Sequence, residues 1–517
     1  MLKLKIDQQE VRVPEGVSVL AAARMGGAEI PTMCYREGKP HFTSCMICMV
    51  KDSKTGSLFP SCSVKAEEGM EIITRDAEIE TSRRMALELL LSEHVGDCEA
   101  PCQVTCPAHM DIPLMNRLLA EGDFSGALEV VKRDIALPAV FGRVCPAPCE
   151  GACHRKTVDS AVSICLLKRY AGDHGAAGEQ AFIPEKVPST GKRVVIVGAG
   201  PAGLAAAYYL QLRGHACAVY DRREKPGGKL WLEVEKGALP AEVLDREVDM
   251  IRGLGVAFHQ NVTVGKQEYE TFRREADALL LTTGSGETGL GSWGLEMTDK
   301  GVAADKKRYT TAVDGVFAAG SAVRLAKMAI RTHGQGKEAA FSIHQYLEGQ
   351  PVTGEPMLFN SRFGKLQEEE VTEYLRESVT GERSEPDDLL AGFSREQVMA
   401  EAARCMHCDC RAVTDCKLRE LSHAYGASQR HFWSKDRKKV EKHVQHDFVI
   451  YEPNKCIRCG KCVHITEEQR ETYGLSFIGR GFEVVVGVPF GETLRAGLEK
   501  VAEDVVEACP TGALAKR

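Results

Sequence analysis

All but one of the twenty cysteines in this chain of 517 residues fall into spaced groups. Such groups read as ligand sets for a string of metal centres, so the fold has to bring each set to one point. Disulfides are the competing use for so many thiols. Met1 to Asp7, however, alternate apolar and charged side chains as a strand does, without the basic start and apolar core of a secretion signal. A cytoplasmic location is therefore expected, where thiols stay reduced and metal binding is the better reading. The length exceeds what a single core of ~250–300 residues organises, so several domains are expected. No run of ~18 apolar residues marks a membrane span. The net charge of -7 is spread along the chain and argues against a nucleic-acid partner, which would call for a basic stripe.

Residues 2 to 6 and 10 to 13 read as a hairpin and Val17 to Ala28 as a short helix, ahead of Cys34, Cys45, Cys48 and Cys62. The spacing C-x10-C-x2-C-x13-C has a close middle pair and a last thiol arriving from a later strand. It suits a two-iron cluster at the edge of a ferredoxin-like sheet, whereas zinc ligands more often come as two tight pairs. Ile30 to Tyr35, Phe59 to Cys62 and Glu68-Gly69-Met70 resemble the N-terminal domain shared by the large iron–sulfur subunit of NADH dehydrogenases and by iron-only hydrogenases.

Ala77 to Glu93 reads as an amphipathic helix with Met85, Leu87, Leu89, Leu90 and Leu91 on its apolar face. It delivers His94, Cys98, Cys102 and Cys106, and a second set follows at Cys145, Cys149 and Cys153, with Cys165 beyond. Helical periodicity over Ile112 to Leu119 and Phe124 to Val131 connects the two sets. The run Val144 to Cys153 resembles the N-terminal iron–sulfur domain of the glutamate synthase small subunit and of dihydropyrimidine dehydrogenase. That resemblance implies two four-iron clusters with interleaved ligands, one on Cys98, Cys102 and Cys153 and the other on Cys106, Cys145 and Cys149. Two such clusters need eight ligands, and this stretch contains seven cysteines. His94 is the candidate for the missing ligand, since His-x3-Cys also opens a histidine-ligated site in the NADH dehydrogenase large subunit, and Cys165 would complete the other set. The alternatives are a capping or surface histidine at 94 and a buried structural thiol at 165.

Cys405, Cys408, Cys410 and Cys416 follow a helix announced by the capping-box pair Ser394 and Gln397. The compact C-x2-C-x-C-x5-C spacing suits a four-iron cluster and would also serve zinc. The last set, Cys456, Cys459, Cys462 and Cys509, has the bacterial ferredoxin spacing C-x2-C-x2-C with a distant Cys-Pro. Thr466 stands where a second cluster would want a cysteine, so one four-iron cluster is expected here. With Phe477 to Gly481, this end again resembles the NADH dehydrogenase large subunit.

Between the cysteine sets, Arg193 to Val197 reads as an apolar strand that runs into Gly198-Ala199-Gly200-Pro201-Ala202-Gly203, then a helix, then a strand ending at Tyr220-Asp221. This is a dinucleotide fingerprint in its proper setting: glycines admit the pyrophosphate at the helix N-terminus, and Asp221 is placed for a ribose hydroxyl. Gly227, Gly228 and Gly315 to Ser321, including Gly320, resemble the glutamate synthase small subunit, which implies FAD as the nucleotide. That family usually has Asp where this chain has Ser321. Only about thirty residues separate Gly284 from Asp314, too few for the nicotinamide-binding βαβ domain that the family inserts there. The chain is therefore not expected to bind NAD(P) itself. A second G-x-G-x-x-G, at Gly284, Gly286 and Gly289, opens no helix and reads as a decoy, and Cys217 as a small buried hydrophobe. Gln350 to Arg395 reads as a connector strapped across the flavin domain, and Lys435 to Lys442 as a solvated basic face.

The expected chain is multidomain, α+β and α/β. It comprises a ferredoxin-like two-iron domain (1–76), a helical domain with two four-iron clusters (77–190) and a Rossmann-like FAD domain lacking the nicotinamide insert (191–350). A connector with a four-cysteine site (351–440) and a ferredoxin-like four-iron domain (441–517) complete it. One two-iron cluster, about four four-iron clusters and FAD are the expected cofactors. The resemblances imply an electron-transfer subunit of a hetero-oligomeric, NADH- or ferredoxin-linked oxidoreductase. It would connect an NADH-oxidising flavoprotein or a ferredoxin with a hydrogenase or formate dehydrogenase, with flavin-based bifurcation within the family's range. The rival readings are a flavin-free iron–sulfur relay and a zinc-stabilised interaction protein.

Overall fold

The computed structural model describes residues 1–175, 182, 184–285, 289–433 and 438–517. Gly286 of the second glycine motif and Lys435 of the basic run lie outside them. The chain divides into two compact units. One comprises Met1–Glu99, Leu358–Glu377 and His407–Arg517, and the other Ala100–Met357 and Ser378–Met406.

The first unit begins with a hairpin, Leu2–Ile6 against Gln9–Val13, turned by Asp7 and Gln8 at positive φ. Its inward side chains Leu4, Ile6, Val11 and Val13 are buried, as period-two alternation requires. Strand Leu2–Ile6 also pairs in parallel with Glu71–Ile73, and Met49–Asp52 and Leu58–Pro60 complete a five-stranded sheet. Helix Val19–Met25, capped by Ser18, packs Leu20, Ala22 and Ala23 into the same core as Cys48 and Cys62.

Helix Ala77–Ser92 starts where Asp76 accepts the Ile79 N–H. Its buried face is Ile79, Arg83, Leu87, Glu88 and Leu91, and Met85 and Leu89 are 46% and 51% exposed, a correction to the apolar face read from the sequence. The leucine-rich run hid the true stripe, which recurs every fourth residue through a buried arginine. Arg83 Nη2 donates there to the carbonyls of Met49 and Thr74.

The C-terminal part pairs Val449–Tyr451 with Leu514–Lys516 and carries helices Lys461–Glu468 and Ala502–Ala508. The connector is not merely a strap, because part of it supplies core to this unit. Tyr374 is buried beneath the Lys442 ammonium, and Glu377 pairs with Lys442 at 2.8 Å and Arg411 at 3.0 Å. Lys442 is thus 2% exposed, so the basic run ends inside the unit and is not a wholly solvated face.

In the second unit, helices Pro138–Val144 and Ile164–His174 cross closely. A Cβ on Gly142 would stand 2.4 Å from Arg169 Cβ, so only glycine permits the crossing. Beside these helices lies a five-stranded parallel sheet in the order Val316–Ala318, Ala278–Leu281, Arg193–Val197, Ala216–Tyr220, Ala257–His259. Strand Val316–Ala318 pairs directly with Ala278–Leu281, and the described residues between them form a short 3-10 turn at Leu290–Trp293 and a two-residue-strand hairpin. The Ser394 capping box is present, with Ser394 Oγ accepting the Gln397 N–H. Among the described residues no helix is long and apolar enough to cross a membrane.

Candidate functional site

The N-terminal loop brings its four thiols together. Cys34 and Cys45 are hydrogen-bonded, as are Cys48 and Cys62, and the Cys34 charge reaches both members of the second pair. Hydrogen bonding from the Cys45 thiol stabilises the Cys34 thiolate and lowers its pKa to about 5. Cys456, Cys459, Cys462 and Cys509 likewise line one small cavity. Burial followed by the charges of Cys456, Cys459 and Cys509 pushes the Cys462 thiol well up, so its proton would leave far more easily to a cation than to water.

The first unit holds a third constellation. Cys98 meets Cys410 and Cys416. The Cys410 N–H donates to the Cys98 carbonyl at 3.0 Å, and burial plus the Cys410 charge push the Cys98 and Cys416 thiols up to about 11 and about 12. The Ser361 backbone clamps Cys98 from the other side, its carbonyl accepting at 3.2 Å and its N–H donating to Sγ. Gly512 makes room: a Cβ there would lie 2.1 Å from Cys410 Sγ. Cys408 also belongs to this unit, and Cys405 lies in the segment Ser378–Met406 of the other.

His94 lies in the first unit, buried, with its Nδ1 without a hydrogen-bond partner among the described residues. Burial and the nearby Lys455 ammonium bring its pKa down to about 3, so the imidazole is neutral. A buried lone pair with nothing to accept fits a metal ligand better than a surface cap does. Lys455 is itself buried, paired with Glu452, and its ammonium is held charged against burial by Cys410 first and Glu452 next.

In the second unit Cys145, which ends helix Pro138–Val144, and Cys149 both hydrogen-bond Cys165 at the start of helix Ile164–His174, and Cys106 is close enough to act on Cys149. The close helix crossing sets the spacing of these thiols. Lys168 Nζ donates to Cys165 Sγ at 3.7 Å and is 3% exposed, with no carboxylate paired to it among the described residues. Burial alone would neutralise it, but the charges of Cys165, Cys145, Cys106 and Cys149 outweigh that and raise its pKa. Cys153 is tied to the Cys405 segment: Arg155 donates to the Arg404 carbonyl at 2.8 Å, and the Arg404 charge acts on the Cys153 thiol. Cys102, in helix Pro101–Thr105, sits on an element packed against helix Pro148–Gly151.

The fingerprint forms a cavity of about 450 Å³ at the carboxyl ends of the parallel strands. Gly198, Gly200, Pro201, Ala202, Gly228 and Ser321 line it, and Gly227 and Gly320 precede the lining residues Gly228 and Ser321 in the chain without lining it themselves. Gly203 fits under the turn, where a Cβ would lie 1.9 Å from the Gly198 oxygen. Asp221 is fixed at the rim by the N–H groups of Ala199 and Arg223, at 2.7 and 2.8 Å. Val144 and Pro146, on either side of Cys145, form part of the wall. The cavity's shape, glycine turn and rim carboxylate therefore fit a dinucleotide, and a thiol set adjoins it. Cys217 lies buried in its strand, its thiol directed to the His215 carbonyl.

The spacing of Cys98 to Cys410 and Cys416, across more than three hundred positions, carried no signal for their meeting. Lys168 had one: a lysine three residues after Cys165, on the same helical face as a proposed ligand.

Four stretches match domain families: a 2Fe-2S iron–sulfur cluster binding domain over residues 1–77, and dihydropyrimidine dehydrogenase domain II, 4Fe-4S cluster, over 78–180. An NAD(P)-binding Rossmann-like domain matches 196–257, and the ferredoxin-like domain of NADH-quinone oxidoreductase subunit 3 matches 446–515. The chain resembles a glutamate synthase small subunit joined to ferredoxin-type domains. It is 38% identical to NADPH-Fe(3+) oxidoreductase subunit beta of Geobacter sulfurreducens over 39% of this chain and 30% of that one. Identity is 33% to NADP(+)-dependent formate dehydrogenase subunit beta of Moorella thermoacetica, over 36% and 29%. It is 35% to the glutamate synthase [NADPH] small chain of Bacillus subtilis, over 37% and 41%. The matched stretch thus spans less than half the length of each of these relatives. Domains for two-iron and four-iron clusters and a dinucleotide fold occur in the order read from the sequence.

Proposed function

We propose that the chain is the iron–sulfur flavoprotein electron-transfer subunit of a multisubunit oxidoreductase. The observation that carries this reading is that Val144 and Pro146, the residues on either side of Cys145, form part of the wall of the dinucleotide cavity. A flavin bound there would exchange electrons singly or in pairs, and iron–sulfur centres would carry them singly. The chain's residues do the rest. Gly198 to Gly203 and Asp221 hold the nucleotide, and Cys106, Cys145, Cys149 and Cys165 hold the centre beside it, with Lys168 as a fixed positive charge.

In the first unit the three thiol sets succeed one another through one core. Cys34, Cys45, Cys416 and Cys459 belong to a single buried cluster with Met33, Ile47, Leu87 and Leu418. Cys416 Sγ lies 3.9 Å from the carbonyl of Pro510, the residue after Cys509. Phe42 stacks on His464 beside Gly460, and Glu468 pairs with Arg36 and Lys39, which joins the two-iron loop to the C-terminal domain. The proposed order is the N-terminal two-iron centre, the C-terminal four-iron centre, then the centre on Cys98, Cys410 and Cys416. His94 is the proposed non-thiol ligand, and Cys102, Cys153 and Cys405 are the remaining thiol ligands in the second unit.

The relatives' names support an NADP(H)-linked reaction in a multisubunit oxidoreductase, with a formate dehydrogenase as one catalytic partner of this kind; a nicotinamide site on another subunit and a hydrogenase partner complete the proposal. Ser321 in the cavity wall favours the second reading, a relay without flavin. Anaerobic purification with iron, sulfide and flavin counts distinguishes them. One FAD per chain with a dithionite-induced paramagnetic signal supports the proposal. Stoichiometric iron without flavin selects the relay, and colourless protein without such a signal overturns both.

A further inference from the structure

A second group of ligand-type side chains lies at the other end of the dinucleotide fold, away from every cysteine set. His215 immediately precedes strand Ala216–Tyr220, while His344 and Glu348 stand one turn apart at the C-terminal end of helix Ala329–Leu347. Their donor atoms all lie within 4.8 Å of one another, and His215 Nε2 is 2.9 Å from His344 Nδ1.

Thr190 Oγ1 lies 2.8 Å from His215 Nδ1 and 3.2 Å from the Gly214 carbonyl. With the hydroxyl proton on that carbonyl, Thr190 accepts from Nδ1–H, the tautomer in which the Nε2 lone pair faces His344 and Glu348. A hydroxyl or carbonyl holding the far nitrogen is the usual outer partner of a metal-bound imidazole. His215 is fully buried, His344 half-buried and Glu348 exposed, so the group forms a rooted site with one open side.

We propose that His215, His344 and Glu348 bind one divalent transition-metal ion of the zinc class. Two imidazoles and a carboxylate, with the fourth position left to water, are a donor set that zinc accepts at ~2.0–2.1 Å. The ion ties the end of helix Ala329–Leu347 to the start of strand Ala216–Tyr220. The first turn of that helix, through Ala329 and Thr332, lines the nucleotide cavity, so the tie steadies the cavity's wall from its far end. The proposal does not depend on the redox reading.

The test uses the full chain, purified anaerobically with its iron in place, exposed to zinc chloride and freed of excess by gel filtration. Retention of one zinc per chain is expected, with X-ray absorption showing nitrogen and oxygen neighbours at ~2.0–2.1 Å. His344→Ala and His215→Gln should abolish retention at unchanged iron content, and Glu348→Gln should weaken affinity at least tenfold. The proposal is overturned if the wild type retains no zinc, if the retained zinc survives His344→Ala, or if its neighbours are sulfur at ~2.3 Å. The absorption measurement on the wild type decides the matter even if His215→Gln fails to fold.

Discussion

Lys168 gives the sharpest handle on the centre proposed next to the nucleotide cavity. Its ammonium lies 3.7 Å from Cys165 Sγ, buried and unpaired with any carboxylate among the described residues, so its field is little screened. An electron added to a centre held by Cys106, Cys145, Cys149 and Cys165 is spread over it, at a mean distance of ~6 Å from Nζ. With an effective dielectric of ~20, the attraction is about 332/(20 × 6), or ~2.8 kcal/mol. At ~1.4 kcal/mol and ~59 mV per tenfold change for one electron, that corresponds to about 120 mV. Lys168→Met keeps most of the volume and removes the charge, so the midpoint potential should fall by ~100–150 mV, while Lys168→Arg stays within ~30 mV of the wild type. An anaerobic redox titration followed by electron paramagnetic resonance, with iron and sulfide counted in each variant, reads this directly. A Lys168→Met potential within ~30 mV of the wild type at full iron content would refute the electrostatic argument.

Cys98→Ser and Cys410→Ser should extinguish the same paramagnetic signal and spare the one sensitive to Lys168; loss of different signals would break up the assignment of these thiols to one centre. Gly203→Val should abolish flavin retention, because its Cβ would fall 1.9 Å from the Gly198 oxygen, and a flavin count matching the wild type would contradict the close turn. Burial alone would raise the Glu377 carboxyl, but Lys442 and Arg411 outweigh it and bring its pKa down to about 2. Glu377→Gln should therefore cost ~3 kcal/mol in urea unfolding of the full chain. Since the folded pKa lies below the unfolded value of ~4.3, this contribution is complete above ~4.3 and fades as pH falls toward 2. The gap between wild type and variant should be the same at pH 7 and pH 5, and a gap already shrinking at pH 5 would contradict the pairing.

What the sequence disclosed was local. The hairpin at the start, the Ser394 cap, the glycine turn before helix Pro201–Leu212 and the strand ending at Tyr220 are written in alternation, capping and turn residues close in the chain. The same holds for the outer thiol sets, whose members arrive within one small domain. The partition of the inner thiols was not legible. The chain leaves the first unit after Glu99, between Cys98 and Cys102, so adjacent members of one spaced run go to different units. Spacing reports how far apart thiols can be and not which later segment meets them. The apolar stripe of helix Ala77–Ser92 was obscured for a related reason: Arg83 is buried because two carbonyls from distant segments receive it.

The buried cations explain how so many thiolate sites can coexist in one chain. Each set concentrates negative charge in a low-dielectric interior, and crowding several of them would oppose folding unless positive charge were built in close by. Lys168 stands against Cys165, and Lys455 faces Cys410 while remaining paired with Glu452. Lys461, whose neighbours include the charges of Cys459, Cys34 and Cys509, stands between the two-iron and C-terminal sets. These ammonium groups differ in how far a carboxylate already occupies them. Lys168 has none paired to it among the described residues and Lys455 has one at 2.5 Å, so Lys168 should favour the reduced state of its centre more strongly than Lys455 does. By this argument the proposed centre beside the nucleotide cavity would be the better electron acceptor of the two, as the proposed transfer from a bound flavin requires.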